Sequence, residues 1–217
     1  MIPIREQREL LLYNRIPVLI QDKPSFDAQT VLQAVQSKVP QPLTRELDYI
    51  MISNSDYLKD REVDSVYLDG IIYMSSQIED NETALLSTVH EIAHSLEEAY
   101  PQIYEDETIE TEFLGKRRKL YEILSAHGFD LSGLDFFDAE YSEKFDDFLY
   151  LDVGYPLLRN LMSGLFLSPY AATSVREYFA DAFEEYFVRE HKNVKLVSPA
   201  IYFKVEELLK TLGDEFV

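Results

Sequence analysis

The chain has 217 residues, of which 46% are hydrophobic and 28% are charged, so it can bury a substantial core and is neither disordered nor fibrous. Forty acidic residues stand against twenty basic ones, and the formal charge of -20 disfavours nucleic acids and anionic membranes as partners, because their phosphates would be repelled. Since the sequence has no cysteine, disulfides, thiolate metal sites, iron–sulfur clusters and cysteine nucleophiles are excluded.

The N-terminal residues and the charge bear on location and partners. Residues 1–15 carry several charges and lack the apolar core of a signal peptide, and no apolar stretch in the chain approaches the roughly 18 residues of a membrane span. We therefore expect a cytoplasmic location, with association with a virus particle as the alternative, and neither a nucleic-acid nor a membrane partner. The acid excess suits solubility, and it is also compatible with a basic peptide substrate.

The first 80 residues predict a mixture of strands and helix, because their apolar residues come in short runs separated by turn-forming residues. The predicted elements are a strand at Ile16–Ile20, a helix at Ala28–Lys38, a strand at 47–52, and a hairpin with strands at 66–68 and 71–74. The hairpin is predicted because Asp69-Gly70 lies between two apolar runs, a pattern typical of a two-residue turn.

From residue 76 onward the spacing of apolar residues becomes helical. Helices are predicted at 81–100, at Thr108–Ala126, at 157–165, at 174–190 and from Ser198-Pro199 to Gly213. Residues 131–152 are acidic and aromatic, and their pattern does not separate helix from loop. Strands early in the chain and helices late indicate an α+β fold with a small antiparallel or mixed sheet.

The motif His90-Glu91-Ile92-Ala93-His94 lies inside the predicted helix at 81–100 and has the form H-E-x-x-H. Residues at i and i+4 share a helix face, so both imidazoles can bind one metal ion. Glu91 lies about 100° around the helix from His90, where it can flank the metal and accept a proton from water. Zinc lowers the pKa of a bound water to about 7 and makes it a nucleophile. The alternative is two histidines that merely share a solvated face.

A catalytic zinc needs a third protein ligand and an open fourth position. Residues 95–100 contain no histidine, which excludes a third histidine directly after the motif. His127 and His191 each close a predicted helix, where a cation meets the negative end of the helix dipole, and we favour that structural role for both. The better candidate is Glu177, which shares a helix face with Asp181 among residues of buried type. Glu177 would bind the metal and Asp181 would orient a ligating histidine, unless the pair simply marks a solvated acidic face.

Residues 177–183, with the sequence EYFADAF, lie downstream of the H-E-x-x-H motif and resemble the catalytic domain of the anthrax lethal factor family, which also includes the Pro-Pro endopeptidases of clostridia. In that family a tyrosine before the ligand glutamate steadies the oxyanion, and Tyr170 lies at the matching position. Asp181 matches a position that is acidic in the family. The resemblance implies a zincin-like metallopeptidase with the zinc ligands His90, His94 and Glu177, the general base Glu91 and the electrophilic assistant Tyr170.

The resemblance covers roughly residues 71–190, and we expect the whole chain, 1–217, to be a single zincin-like catalytic domain. Its expected parts are a strand-rich region at 1–80, an active-site helix at 81–103, a helical acidic insertion at 104–152, and a helical part at 153–217 with the third ligand. His94 and Glu177 are 83 positions apart, farther than in compact members of the family. This distance is the reason for expecting 104–152 to be an insertion or an enlarged cap.

Two further segments have two interpretations each. In zincins an edge strand beside the active-site helix pairs with an extended substrate, and Ile71–Ser75 leads into that helix; the alternative is a hairpin of two ordinary sheet strands. The segment Asp135-Phe136-Phe137-Asp138, followed by Tyr141, Phe145 and Phe148, either lines a peptide groove or, as we favour, is core on one side and solvated carboxylates on the other.

Together these patterns favour a zinc-dependent endopeptidase with one zinc ion per chain, which hydrolyses peptide bonds through an activated water and a glutamate general base. The alternative is a structural or binding component of a larger assembly, such as a phage particle, that keeps the zincin fold with or without peptidase activity. The sequence gives no cleavage specificity.

Overall fold

The computed structural model describes residues 10–61 and 63–214, and side chains as far as Thr211. The part of the expectation on residues 1–15 that concerns 1–9 therefore lies outside the described residues. Contacts between Cα atoms divide the chain into two compact units, Met1–Leu96 and Glu97–Val217, and the boundary falls within a single helix. The first unit contains the sheet and the second is mainly helical, so the predicted α+β class is confirmed.

A five-stranded mixed sheet is the centre of the first unit. Its strands are β1 (Leu10–Leu12), β2 (Ile16–Ile20), β3 (Tyr49–Ser53), β4 (Ser65–Leu68) and β5 (Ile71–Ser75), in the spatial order β1-β2-β3-β5-β4. The three central strands β2, β3 and β5 run parallel, and β1 and β4 pair antiparallel with the outer two of them. The strand prediction at 47–52 is confirmed with a small shift, and β1 is a strand that the sequence analysis did not predict.

Helices α1 (Ala28–Lys38) and α2 (Asp56–Lys59) lie in the connections between the parallel strands. Helix α1 has its predicted bounds, and Asp27 caps it by accepting hydrogen bonds from the amides of Gln29 and Thr30. Its apolar residues recur with helical spacing and are buried, as are the alternate residues of the strands. The sheet core includes Leu12, Ile16, Val18, Val31, Val35, Ile50, Ile52, Ile72 and Met74.

The predicted hairpin is present, with Asp69 and Gly70 as its two turn residues. Both have positive φ angles, 48° and 83°, as a type I′ turn requires. The structure corrects one expectation, because Ile71–Ser75 is not an edge strand: it lies between β3 and β4. Among the described residues, β4 is the strand at this edge of the sheet.

Helix α3 (Asn81–Ala99) follows β5 and contains the H-E-x-x-H motif. It starts where Asp80 accepts a hydrogen bond from the amide of Thr83, and it ends just before Pro101, close to the predicted bounds. Its buried face packs on the sheet, since the Thr88 hydroxyl lies 3.4 Å from the sulfur of Met74 on β5.

The described part of the second unit contains six further α-helices. They are α4 (Thr108–Ala126), α5 (Glu143–Asp147), α6 (Tyr155–Leu161), α7 (Val175–Val188), α8 (His191–Val197) and α9 (Pro199–Asp214). The prediction for α4 is confirmed, and α7 lies within the predicted 174–190. Helix α6 begins two residues earlier and ends four residues earlier than the predicted 157–165, and α9 continues through Gly213, which therefore does not end it.

Residues 131–152 form turns, the short helix α5 and most of a π-helical segment at Phe148–Val153. Phe136, Phe145 and Phe148 are buried, whereas Phe137 and Tyr141 are more than half exposed. The core side that we expected for this segment is therefore confirmed. No helix of the described residues is long and apolar enough to cross a bilayer.

Candidate metal centre

Helix α3 places the two histidines of the motif one turn apart. The ring centroids of His90 and His94 are 5.0 Å apart, with an angle of 77° between the ring planes. Both residues are half-buried, so they remain partly accessible to solvent. The residues between and after them, Ile92, Ala93 and Leu96, are buried and anchor this face of the helix.

Glu91 is almost fully buried, with 5% of its surface exposed. Its Oε1 accepts a hydrogen bond of 2.8 Å from the hydroxyl of Ser65, and its Oε2 accepts one of 2.7 Å from the backbone amide of Tyr67. Both donors belong to strand β4, so the carboxylate joins the motif helix to the edge of the sheet. A buried carboxylate without such donors would be costly, and here each oxygen has one.

Helix α7 carries Glu177 in its first turn. Ser174 caps this helix, and its hydroxyl oxygen accepts a hydrogen bond of 3.1 Å from the amide of Glu177. Capping by serine three residues before the glutamate fixes where the helix starts, and so fixes the place of the half-buried Glu177 in the first turn. Asp181 follows one turn later and is also half-buried.

One ring nitrogen from each of His90 and His94 and one carboxylate oxygen of Glu177 lie within 4.8 Å of one another. This His-His-Glu cluster can hold a metal ion. Ligand nitrogens and oxygens lie about 2.0–2.2 Å from zinc, so two of them can be at most about 4.4 Å apart across one ion. Two imidazoles and one carboxylate also form a donor set found at open catalytic sites rather than at closed structural ones.

Tyr170 opens a short 3₁₀ turn at Tyr170–Ala172, directly before helix α7. Burial, assisted by the negative charge of Glu177, raises the pKa of its hydroxyl, which is therefore protonated at neutral pH and able to donate. The fully buried side chain of Arg117, on α4, binds the end of this turn. Its Nη1 donates to the carbonyl oxygens of Ala172 at 2.9 Å and Thr173 at 3.3 Å.

A second hydrogen-bonded network, which sequence reasoning missed, lies next to Glu177 and is centred on one buried carboxylate. The buried carboxylate of Glu97, in the last turn of α3, accepts hydrogen bonds from the hydroxyl of Tyr104 and, at 3.3 Å, from Nε of Arg176. Burial and then the Glu97 charge raise the pKa of Tyr104, so this hydroxyl remains a donor. Arg176 adjoins Glu177 in the chain, and the network therefore joins the end of α3 to the start of α7. The sequence carried no signal for it beyond a lone arginine in an acidic segment.

The other two histidines do not belong to the cluster. His127 is the C-cap of α4, with its Nδ1 2.8 Å from the carbonyl oxygen of Ile123, which agrees with the structural role expected for it. The expectation for His191 was wrong, because this residue does not close a helix: it begins α8, and its ring lies against Tyr186. The physical reason is the break after α7, where Arg189 leaves helical geometry and a new helix starts.

Comparison with protein-family models, curated proteins and solved structures finds no significant match to this chain. The resemblance to the lethal factor family therefore stays a prediction from the sequence.

Proposed function

We propose that the chain is a zinc-dependent endopeptidase of the H-E-x-x-H type, with a glutamate as the third ligand. The observation that carries the proposal is that one ligand atom from each of His90, His94 and Glu177 lies within 4.8 Å of the other two. Two imidazoles and a carboxylate leave one position open, as a hydrolytic zinc site requires. The resemblance to the lethal factor family is consistent with this proposal and supplies the role of Tyr170.

Each residue of the candidate site has its own role in the proposed hydrolysis. His90, His94 and Glu177 would hold the zinc ion, which when bound polarises a carbonyl and lowers the pKa of the attacking water. Glu91 accepts the proton of that water and passes it to the leaving amine, so that no net proton is lost in the cycle. Tyr170 donates a hydrogen bond to the oxygen on which negative charge develops, a contact that strengthens as the carbonyl becomes tetrahedral.

The metal itself is tested first. Nickel, cobalt and copper also bind imidazole and carboxylate ligands, so the purified chain should be analysed for its metal content by mass spectrometry. We expect one zinc ion per chain, and the loss of that ion in the variant His94→Ala. Purified protein that takes up no zinc from a solution with stoichiometric metal would refute the proposal.

The reaction is tested with a proteome-derived peptide library, digested with and without a chelator. The wild-type chain should cleave peptides only when the metal is present, and Glu91→Gln should keep its zinc but lose at least about 10²-fold in rate. Glu98→Gln is the matched control, because Glu98 is exposed on the same helix. An active Glu91→Gln variant would contradict the mechanism. Zinc uptake without any cleavage would instead favour the metal-binding structural component.

A further inference from the structure

The edge strand β4 presents its backbone groups alternately to its neighbour and away from it. The amide of Ser75 on β5 donates to the carbonyl of Asp64 at 2.8 Å, which fixes the alternation in this antiparallel pair. By that alternation, hydrogen bonds to β5 are formed by the backbone groups of Asp64, Val66 and Leu68. The backbone groups of Ser65 and Tyr67 point in the opposite direction, away from β5. The Tyr67 amide is therefore a donor at the sheet edge, and it meets Glu91 there.

Two donors from this edge meet one carboxylate. The Ser65 hydroxyl and the Tyr67 amide each bond to a different oxygen of Glu91, at 2.8 and 2.7 Å. A carboxylate bound through one oxygen can still turn about its terminal bond, but a carboxylate bound through both oxygens is fixed in its plane. Because a carboxylate has about four acceptor sites, two remain for other partners.

We propose that Ser65, with the amide of Tyr67, is a positioning residue for Glu91. The inference rests on the proposed function, in which Glu91 is the general base. A base must lie within hydrogen-bond reach of the proton that it takes, and an error of about 1 Å in its placement can lower the rate about 100-fold. The clamp from β4 fixes the carboxylate plane before substrate arrives, and so lowers the reorganisation needed in the reaction.

The kinetic test uses Ser65→Ala, Ser65→Thr and the control Ser75→Ala. Ser75 lies in the neighbouring strand, and its hydroxyl oxygen accepts from the Gln77 amide instead of donating to Glu91. For Ser65→Ala we expect kcat to fall about 10- to 50-fold while KM stays within about twofold and zinc content is unchanged. Ser65→Thr, which keeps the hydroxyl, should recover kcat to within about threefold of wild type, and Ser75→Ala should match wild type. A Ser65→Ala variant with wild-type kcat would overturn the proposal.

A second measurement separates this inference from the proposed function. In metal-free protein, the folding equilibrium constant is determined by urea denaturation for Ser65→Ala alone, Glu91→Ala alone, and both together. We expect Ser65→Ala to lower the constant about tenfold when Glu91 is present and less than about twofold when it is absent. Equal effects in both backgrounds would show that Ser65 does not hold Glu91. This result needs no substrate, so it stands even when the peptide library reveals no cleavage.

Discussion

Replacing Arg117 by methionine tests how the Tyr170 turn is held. The guanidinium is buried, and its Nη2 donates to the carbonyl of Asp135 at 2.7 Å while Nη1 serves Ala172 and Thr173 on the other side. Its Cζ also lies over the ring of Phe145, 3.6 Å from the ring centroid. Arg117 therefore connects the acidic segment at 131–152 with the turn before α7.

The magnitude follows from these contacts. A hydrogen bond from a charged donor contributes about 1.5–3 kcal/mol, so the two bonds at 2.9 and 2.7 Å together represent about 3–6 kcal/mol and the longer third adds little. Methionine fills a similar volume over Phe145 and does not bury a charge. Its lower desolvation cost offsets roughly 1–2 kcal/mol of the lost hydrogen-bond energy. Burial already lowers the pKa of Arg117 to about 10, a sign of that desolvation cost. We expect Arg117→Met to lose about 2–4 kcal/mol of unfolding free energy.

The assay is urea denaturation at neutral pH, with hydrogen exchange of the Thr173 amide as the local readout. That amide donates to the carbonyl of Tyr170, so its protection reports the turn. Arg118→Met is the control, because Arg118 is the exposed neighbour on the same helix and should change stability by less than about 0.5 kcal/mol. Arg117→Lys should recover only part of the loss, since one ammonium cannot reach carbonyls on both sides as a planar fork does. An Arg117→Met variant that is as stable as Arg118→Met and keeps the Thr173 amide equally protected would refute this role of Arg117.

Two further variants test contacts outside the candidate site, one in each unit. Gly70→Ala should lower the free energy of unfolding, measured by urea denaturation, by about 1–3 kcal/mol. Gly70 has a φ of 83°, and the new Cβ would lie 2.8 Å from Oδ2 of Asp48. An unchanged denaturation midpoint would contradict this. The hydrogen bond from Lys204 lowers the pKa of Asp106 to about 2, below its ordinary value near 4, so the pair stabilises the fold above about pH 4 and ceases to do so as the pH falls towards 2. Lys204→Met should therefore lower the melting temperature at pH 7 more than at pH 2, and equal shifts at both pH values would contradict the pairing.

Local signals predicted most of the first unit. The Asp69-Gly70 turn, the apolar runs of β2, β3 and β5, and the capped helix α1 are all specified by residues that are neighbours in sequence. Strand β1 was missed because its turn lacks glycine: Tyr13 and Asn14 adopt positive φ angles of 53° and 54°. The Tyr13 hydroxyl donates to the carbonyl of Val39, 26 residues away. This distant contact supports a turn that the local sequence does not predict.

The candidate site shows the same division between local and distant information. The spacing of His90, Glu91 and His94 identifies their positions around α3 from the sequence alone, and the Ser174 cap makes the start of α7 readable. Neither feature says what a buried Glu91 contacts, because that depends on a strand 26 residues earlier and on which edge of the sheet the strand occupies. A buried carboxylate requires donors, so the sequence predicts that partners exist, while the register of β4 decides that they are Ser65 and Tyr67. A one-residue slip of β4 would turn both donors away from Glu91, so the placement of the proposed base depends on strand register as much as on the motif.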